Sequence, residues 1–137
     1  GAGRWRGGSG MVWEVRNLGG DARIATGSSD GDLTQPAGAA GGDPGPLSKM
    51  FIRRGDEIET VRTHRMIEVK TGEVLGKVSG GGGGVGEPFE RDPQAVQKDV
   101  VDGYVTIEAA ERLYGVAIDE ATITIDEART KRLRGID

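Results

Sequence analysis

Ser79-Gly80-Gly81-Gly82-Gly83-Gly84-Val85-Gly86-Glu87-Pro88-Phe89-Glu90-Arg91-Asp92-Pro93 divides the chain: strand-like alternation precedes it and helix-like spacing follows it. A glycine run carries high conformational entropy when unfolded and lets backbone or ligand come close, so it needs a structural reason. Two reasons compete. The backbone N–H groups of Gly81, Gly82, Gly83, Gly84 and Gly86, with charge from Arg91, could line a ligand and cradle an anion. Against this, the stretch lacks the Lys-Ser/Thr ending of a phosphate-binding P-loop, and Asp92-Pro93 sets a carboxylate at the helix start where a phosphate would sit. The competing reading is a close crossing of this backbone against another.

Beyond the glycines the period becomes helical. Asp92 caps a helix with Pro93 at its first position, Val96, Val100 and Val101 on one face and Gly103 as its stop. Thr106 caps a second, with Ile107, Ala110 and Leu113 or Tyr114 inward and Gly115 ending it. Short strands are expected at Val116 to Ile118 and Ala121 to Ile125. Thr124 with Glu127 then forms a capping box for a last helix through Ala128 to Leu133, basic near its end as the helix dipole favours.

Before the glycines the period is two. Met11, Trp13 and Val15 share one strand face, and Asn17 to Asp21 supplies a turn into a return strand at Ala22 to Thr26, so a hairpin or meander opens the fold. Gly27 to Ser48 is a long loop of Gly, Ser, Asp, Pro and Ala. Met50 to Ile52, Glu57 to Val61, Met66 to Val69 and Val74-Leu75 then read as a small antiparallel sheet with one wet face. The fold class expected is α+β: a β-rich region with a long Gly/Pro loop (1–79), a glycine-rich hinge (80–93) and a short-helix region (94–137), together one incomplete domain of a larger subunit.

Composition supports incompleteness. In 137 residues only 35% are apolar and 4% aromatic, while 25 are glycine, so burial is better completed against a partner or a longer polypeptide. With no cysteine, disulfides and thiolate metal sites are excluded, and a cytoplasmic location is the default. A net charge of −4 with interspersed basic residues leaves no footprint for nucleic acid or an anionic membrane, and no apolar run spans a bilayer. The chain starts without methionine, as a processed product or a segment of a longer one would.

Other candidate chemistry is thin. His64 is the sole histidine, which alone makes neither a metal site nor a catalytic pair. Glu57 with Glu59, and Asp119 with Glu120, read as solvated strand and turn positions. Glu90, Arg91 and Asp92 read as ion pairs and caps bracing the glycines, and Arg4-Trp5-Arg6 as an aromatic interface anchor. No nucleophile and base can be paired, so catalytic residues are not assigned and no metal is expected here.

The glycine stretch also resembles the C-terminal signature of the hydantoinase B / 5-oxoprolinase family: four glycines, an aromatic, then Gly-Asp-Pro-Leu-Glu-Arg-Asp-Pro. Val96 to Asp102, Gly103-Tyr104-Val105, Glu108-Ala109-Ala110 and Tyr114-Gly115-Val116 are similar to its C-terminal run. Gly1 to Gly8 resembles its Gly-Arg-Trp/Tyr-Arg-Gly-Gly block, and Pro36 to Gly45 its loop ending Gly-Gly-x-Pro-Gly. Val85 replaces the family's aromatic, Glu87 its Asp and Phe89 its Leu, so no stacking role is assigned to the loop. The resemblance implies a C-terminal segment or small subunit, inactive alone, of an ATP-dependent cyclic-amide hydrolase (hydantoin or 5-oxoproline type) or of a ketone carboxylase of the acetone or acetophenone type. A non-catalytic assembly subunit is the remaining alternative. It further implies two partners, a hydantoinase A-type ATPase and the N-terminal part of a hydantoinase B-like subunit. ATP and a divalent metal would serve the whole complex, with none bound by this chain alone.

Overall fold

The computed structural model describes residues 1–27 and 30–136. They fall into two compact units, a β unit of Ser9–Pro36 with Pro46–Gly82, and a helical unit of Gly1–Gly8, Ala37–Gly45 and Gly83–Asp137. The architecture is α+β, as the residue periods imply.

The β unit contains strands β1 (Val12–Arg16), β2 (Ala22–Ala25), β3 (Lys49–Arg54), β4 (Glu57–Val61), β5 (Met66–Val69) and β6 (Val74–Val78). They form a four-stranded antiparallel sheet in the order β1-β6-β3-β4 and a separate β2-β5 ribbon. Strand alternation selects the inward face. The register sets Met50 beside Lys77 and Val61, and Ile52 beside Leu75. Met50, Ile52, Leu75 and Val69 are buried together, with Trp13, Ile24, Val61 and Ile67 packed against them. Ile24 and Ile67 are cross-strand partners in the ribbon, so the ribbon contributes one apolar face to this core. The opposite face is wet: Arg53 grips Glu14 through both guanidinium nitrogens, at 2.5 and 3.1 Å, and lies over the Phe51 ring.

The expected opening hairpin does not form, because β1 pairs with β6 and β2 with β5. The cause lies in the turn residues. Asn17 donates its side-chain amide to the carbonyls of Gly20 and Val69, its backbone exchanges hydrogen bonds with Glu73 and Gly72, and Asp21 accepts from the Thr71 amide. These bonds tie the 17–21 turn to the β5–β6 turn, so β1 and β2 leave it toward different partners.

In the helical unit, α1 (Pro93–Val101) starts on Asp92, whose carboxylate accepts from the Gln94 amide, and α2 (Ile107–Tyr114) starts on Thr106, which accepts from Ala109. Gly115 closes α2 in the left-handed region at φ 62°. Val96, Ala110, Tyr114, Val116 and Ile118 form the core with Ala2, and Val100, Val105, Ile107 and Leu113 pack against it. Val101 is exposed instead of sharing that face, since it lies one residue past Val100 on the helical wheel.

Two expectations near the end need correction. Val116–Ile118 and Ala121–Ile125 meet only in a single bridge, Ile118 to Ile125, because Asp119 draws the intervening residues into a turn by accepting from Ala121 and Thr122. Those bonds hold the Asp119 carboxyl below its ordinary range, the Thr122 hydroxyl contributing most. The cap of α3 (Glu127–Arg134) is Asp126, which accepts from the Arg129 amide, whereas the Thr124 hydroxyl is taken by Thr122.

Thr130 on α3 is buried, and its hydroxyl accepts from the buried Ala117 amide at 3.0 Å. Thr130→Val keeps the shape but orphans that amide, so urea unfolding should show a loss of about 1–3 kcal/mol, largely recovered by Thr130→Ser.

Candidate functional site

The second half of the glycine stretch is the middle line of a three-line backbone weave. Trp5 and Val85 exchange backbone hydrogen bonds, each 2.9 Å, and the Arg4 amide donates to the Gly86 carbonyl. On the other side, the Ala39 amide donates to the Gly84 carbonyl and the Gly86 amide to the Ala39 carbonyl, each at 2.9 Å. The outer lines are joined in turn, since Gly84 donates to the Asp43 carbonyl and Asp43 to that of Ala2.

Such closeness leaves no room for a side chain. A Cβ built on Gly84 would lie 1.9 Å from the Ala2 carbonyl oxygen, one on Gly83 2.0 Å from that of Ala37, and one on Gly42 2.3 Å from that of Gly84. Gly86 carries φ +75°, which favours glycine independently of space. In the β unit, a Cβ on Gly80 would meet the Pro46 carbonyl oxygen at 1.9 Å, and Gly81 turns at φ +70°. Gly82 follows in the same unit.

The weave decides what the loop can bind. Phosphate cradles need free backbone N–H groups, but those of Gly84, Val85 and Gly86 are bonded to the carbonyls of Asp43, Trp5 and Ala39. These three donors therefore do not fit a phosphate, and no ATP-binding step is drawn through them.

Arg91 is turned inward. Its Nη2 donates to Asp99 at 2.9 Å, its Nη1 donates to the Arg4 carbonyl at 3.0 Å, and its buried Nε meets no acceptor among the described residues. Arg6 reaches the same carboxylate with Nε at 3.3 Å and Nη2 at 3.4 Å, and its guanidinium sits 4.7 Å from the Tyr104 ring centre. Arg134 bonds the carbonyls of Tyr114 and Arg91. Burial raises the Tyr114 hydroxyl above the ordinary tyrosine range, keeping it neutral beside these arginines. One buried carboxylate thus anchors two cations from distant parts of the chain.

Sequence reasoning singled out Arg91, Glu90 and Asp92 but missed Asp99, the anchor of Arg91 and Arg6. The available signal was its spacing: Asp99 stands three residues after Val96, on the apolar face of α1, where a carboxylate is buried only with a partner. Of the neighbours, Asp92 serves as the α1 cap and Glu90 faces Arg4 at 3.8 Å on the surface. His64 belongs to the β unit, exposed at a turn with φ +58°. Glu57 and Glu59 lie on β4, and Trp5 projects from the weave with 67% of its surface exposed.

Two substitutions separate these contributions. Gly84→Ala should cost at least about 3 kcal/mol of unfolding free energy, because a carbonyl oxygen cannot rotate aside, whereas Gly8→Ala, which meets nothing within 4 Å, should be close to neutral. Asp99→Ala should cost about 3–5 kcal/mol by stranding two arginines, one of them nearly buried, as read by thermal and chemical unfolding.

Comparison with known proteins follows the same lines. The chain is 34% identical over 137 residues to the B-type subunit of a "Putative D-/L-hydantoinase" from Pseudomonas sp. (strain NS671), covering 98% of this chain and 23% of that protein. It is 36% identical to the beta subunit of a caprolactamase from Pseudomonas jessenii, with 95% and 23% covered. The crystal structure of the ATP-dependent caprolactamase from that organism superposes with a TM-score of 0.78 at 31% identity, over 98% of this chain and 24% of that one. A shorter match, 37% over 57 residues, joins 42% of this chain to 8% of the acetophenone carboxylase delta subunit of Aromatoleum aromaticum. The chain thus spans about a quarter of the length of the hydantoinase and caprolactamase subunits it matches. A family model described as hydantoinase B/oxoprolinase matches residues 1–88, more than half of the 137, and the chain belongs to that family.

Proposed function

We propose that this chain is the C-terminal segment, or a separate small subunit, of a hydantoinase B-like component that opens a cyclic amide with ATP hydrolysed by a hydantoinase A-type partner. The observation that carries this reading is likeness, along 98% of the chain, to a hydantoinase component of the B type. Caprolactam and hydantoin are both cyclic amides, so these two relatives, each matched over nearly the whole chain, share one substrate class. An amide carbonyl is a poor electrophile, and transfer of a phosphoryl group to its oxygen makes attack by water and opening of the C–N bond feasible. ATP and any divalent metal would be held elsewhere in that cytoplasmic assembly.

Within it, the weave and the Arg6–Asp99–Arg91 anchor would brace the active-site region, and the peptide faces of Gly81 to Gly84 and Gly86 would form part of its wall. The engaged amides of Gly84 and Gly86 support bracing over anion binding. A ketone carboxylase is the second reading, favoured by the match to the acetophenone carboxylase delta subunit.

The test is the composition of the complex purified from its native source, followed by ATP turnover assays. Co-purification with an ATPase and the rest of a hydantoinase B-like subunit, with turnover on a cyclic amide, is the expected result. Turnover only on a ketone with bicarbonate would move the chain to the carboxylase branch, and an assembly without an ATPase would leave it a non-catalytic packing subunit.

A further inference from the structure

The two edges of the four-stranded sheet are built differently. β4 is guarded by charge: Glu57 and Glu59 lie along it, and Arg54 pairs with Glu59. β1 carries two charges as well, but more exposed apolar surface than β4, where Ile58 is the exposed large apolar residue. Val12 and Val15, 65% and 59% exposed, project from opposite faces of the strand, and Met11 and Leu18 beside its ends are also exposed. Its two charged side chains are drawn back to its own unit, Glu14 to Arg53 and Arg16 to the Gly72 carbonyl. There is no proline in it. Apolar residues on both faces mark a strand interior to a sheet, whereas natural edges carry charge, proline or a bulge.

The backbone adds a row of unused hydrogen-bonding groups. Ser79 donates to the Met11 carbonyl and Asn17 to the Glu73 carbonyl, so the odd-numbered residues face β6. The N–H and C=O groups of Val12, Glu14 and Arg16 therefore point away from the sheet, and no strand meets them among the described residues.

We infer that β1 is interior in the working protein and that an extended segment from the remainder of the family polypeptide pairs antiparallel or parallel along it. The inference rests on the proposal above that the chain is part of a longer subunit. Relatives are about four times as long, since the chain covers 23% of each, so a strand within the same polypeptide reaches β1 at a high effective concentration that a second copy lacks. The partner strand is apolar where it flanks Val12 and Val15, because both faces there need cover.

Amide hydrogen exchange on the native assembly tests this, with cross-linking from β1 to identify the neighbour. The amides of Val12, Glu14 and Arg16 should exchange as slowly as those of Trp13 and Val15, and the cross-links should map to the same polypeptide. Exchange about a hundredfold faster at the three outward amides would overturn the inference, as would cross-links joining two copies of β1. Glu14→Pro, which removes an outward N–H and none that faces β6, should reduce recovery of the assembly, and full recovery would count against the pairing. An assembly that turns over a cyclic amide with open β1 amides sinks the pairing alone. Protected amides in an assembly inactive on both substrate classes sink the proposed activity alone.

Discussion

Everything in the helical unit hangs on how close two stretches of peptide come to Gly83, Gly84 and Val85. Hydrogen bonds from Trp5 on one side and Ala39 on the other draw three backbones together, and the absence of side chains at Gly42, Gly83 and Gly84 permits the contact. Because the three lines come from residues 1–8, 37–45 and 83–86, the weave also joins segments far apart in sequence. The entropic cost of ordering so many glycines is set against a dense mesh of amide–carbonyl bonds. With an apolar content of only 35%, the chain relies on this mesh where a richer sequence would rely on side-chain volume.

Much of the fold could be read locally. Asp92-Pro93, Thr106 and Gly115 carry cap chemistry that works within one turn of chain, and the helices start and stop where those residues say. Strand positions before the glycine run were legible for the same reason, since alternation is a local property. Pairing was not. Whether Met11 to Arg16 joins its neighbour or β6 depends on Asn17 reaching the carbonyl of Val69, and nothing in the spacing of either segment announces a bond across fifty residues. Thr124 misled for a different reason: α3 starts two residues later, where the Asp126 carboxylate takes the Arg129 amide.

The candidate site was half legible. Glycine run and arginine both stood out by composition, but their roles depend on partners distant in sequence. Arg91 reads as a partner of its neighbours Glu90 and Asp92, or as charge for the loop, until Asp99 and the Arg4 carbonyl are brought to it, and the glycine amides read as donors until Trp5, Ala39 and Asp43 occupy them. Family likeness located the chain within a known architecture, while the geometry says which of its groups remain available for chemistry. The amides of Gly84, Val85 and Gly86 are spent on holding the weave together.

The carbonyl contacts at Gly83 and Gly84 also bear on how this sequence can drift. When a glycine lies against a side chain, enlarging it can be offset by trimming the neighbour. Here the neighbours are main-chain oxygens of Ala37 and Ala2, which every residue type presents identically. No second substitution at either position makes space, so a lesion in the loop has no compensating partner, and these positions are constrained singly instead of in co-varying pairs.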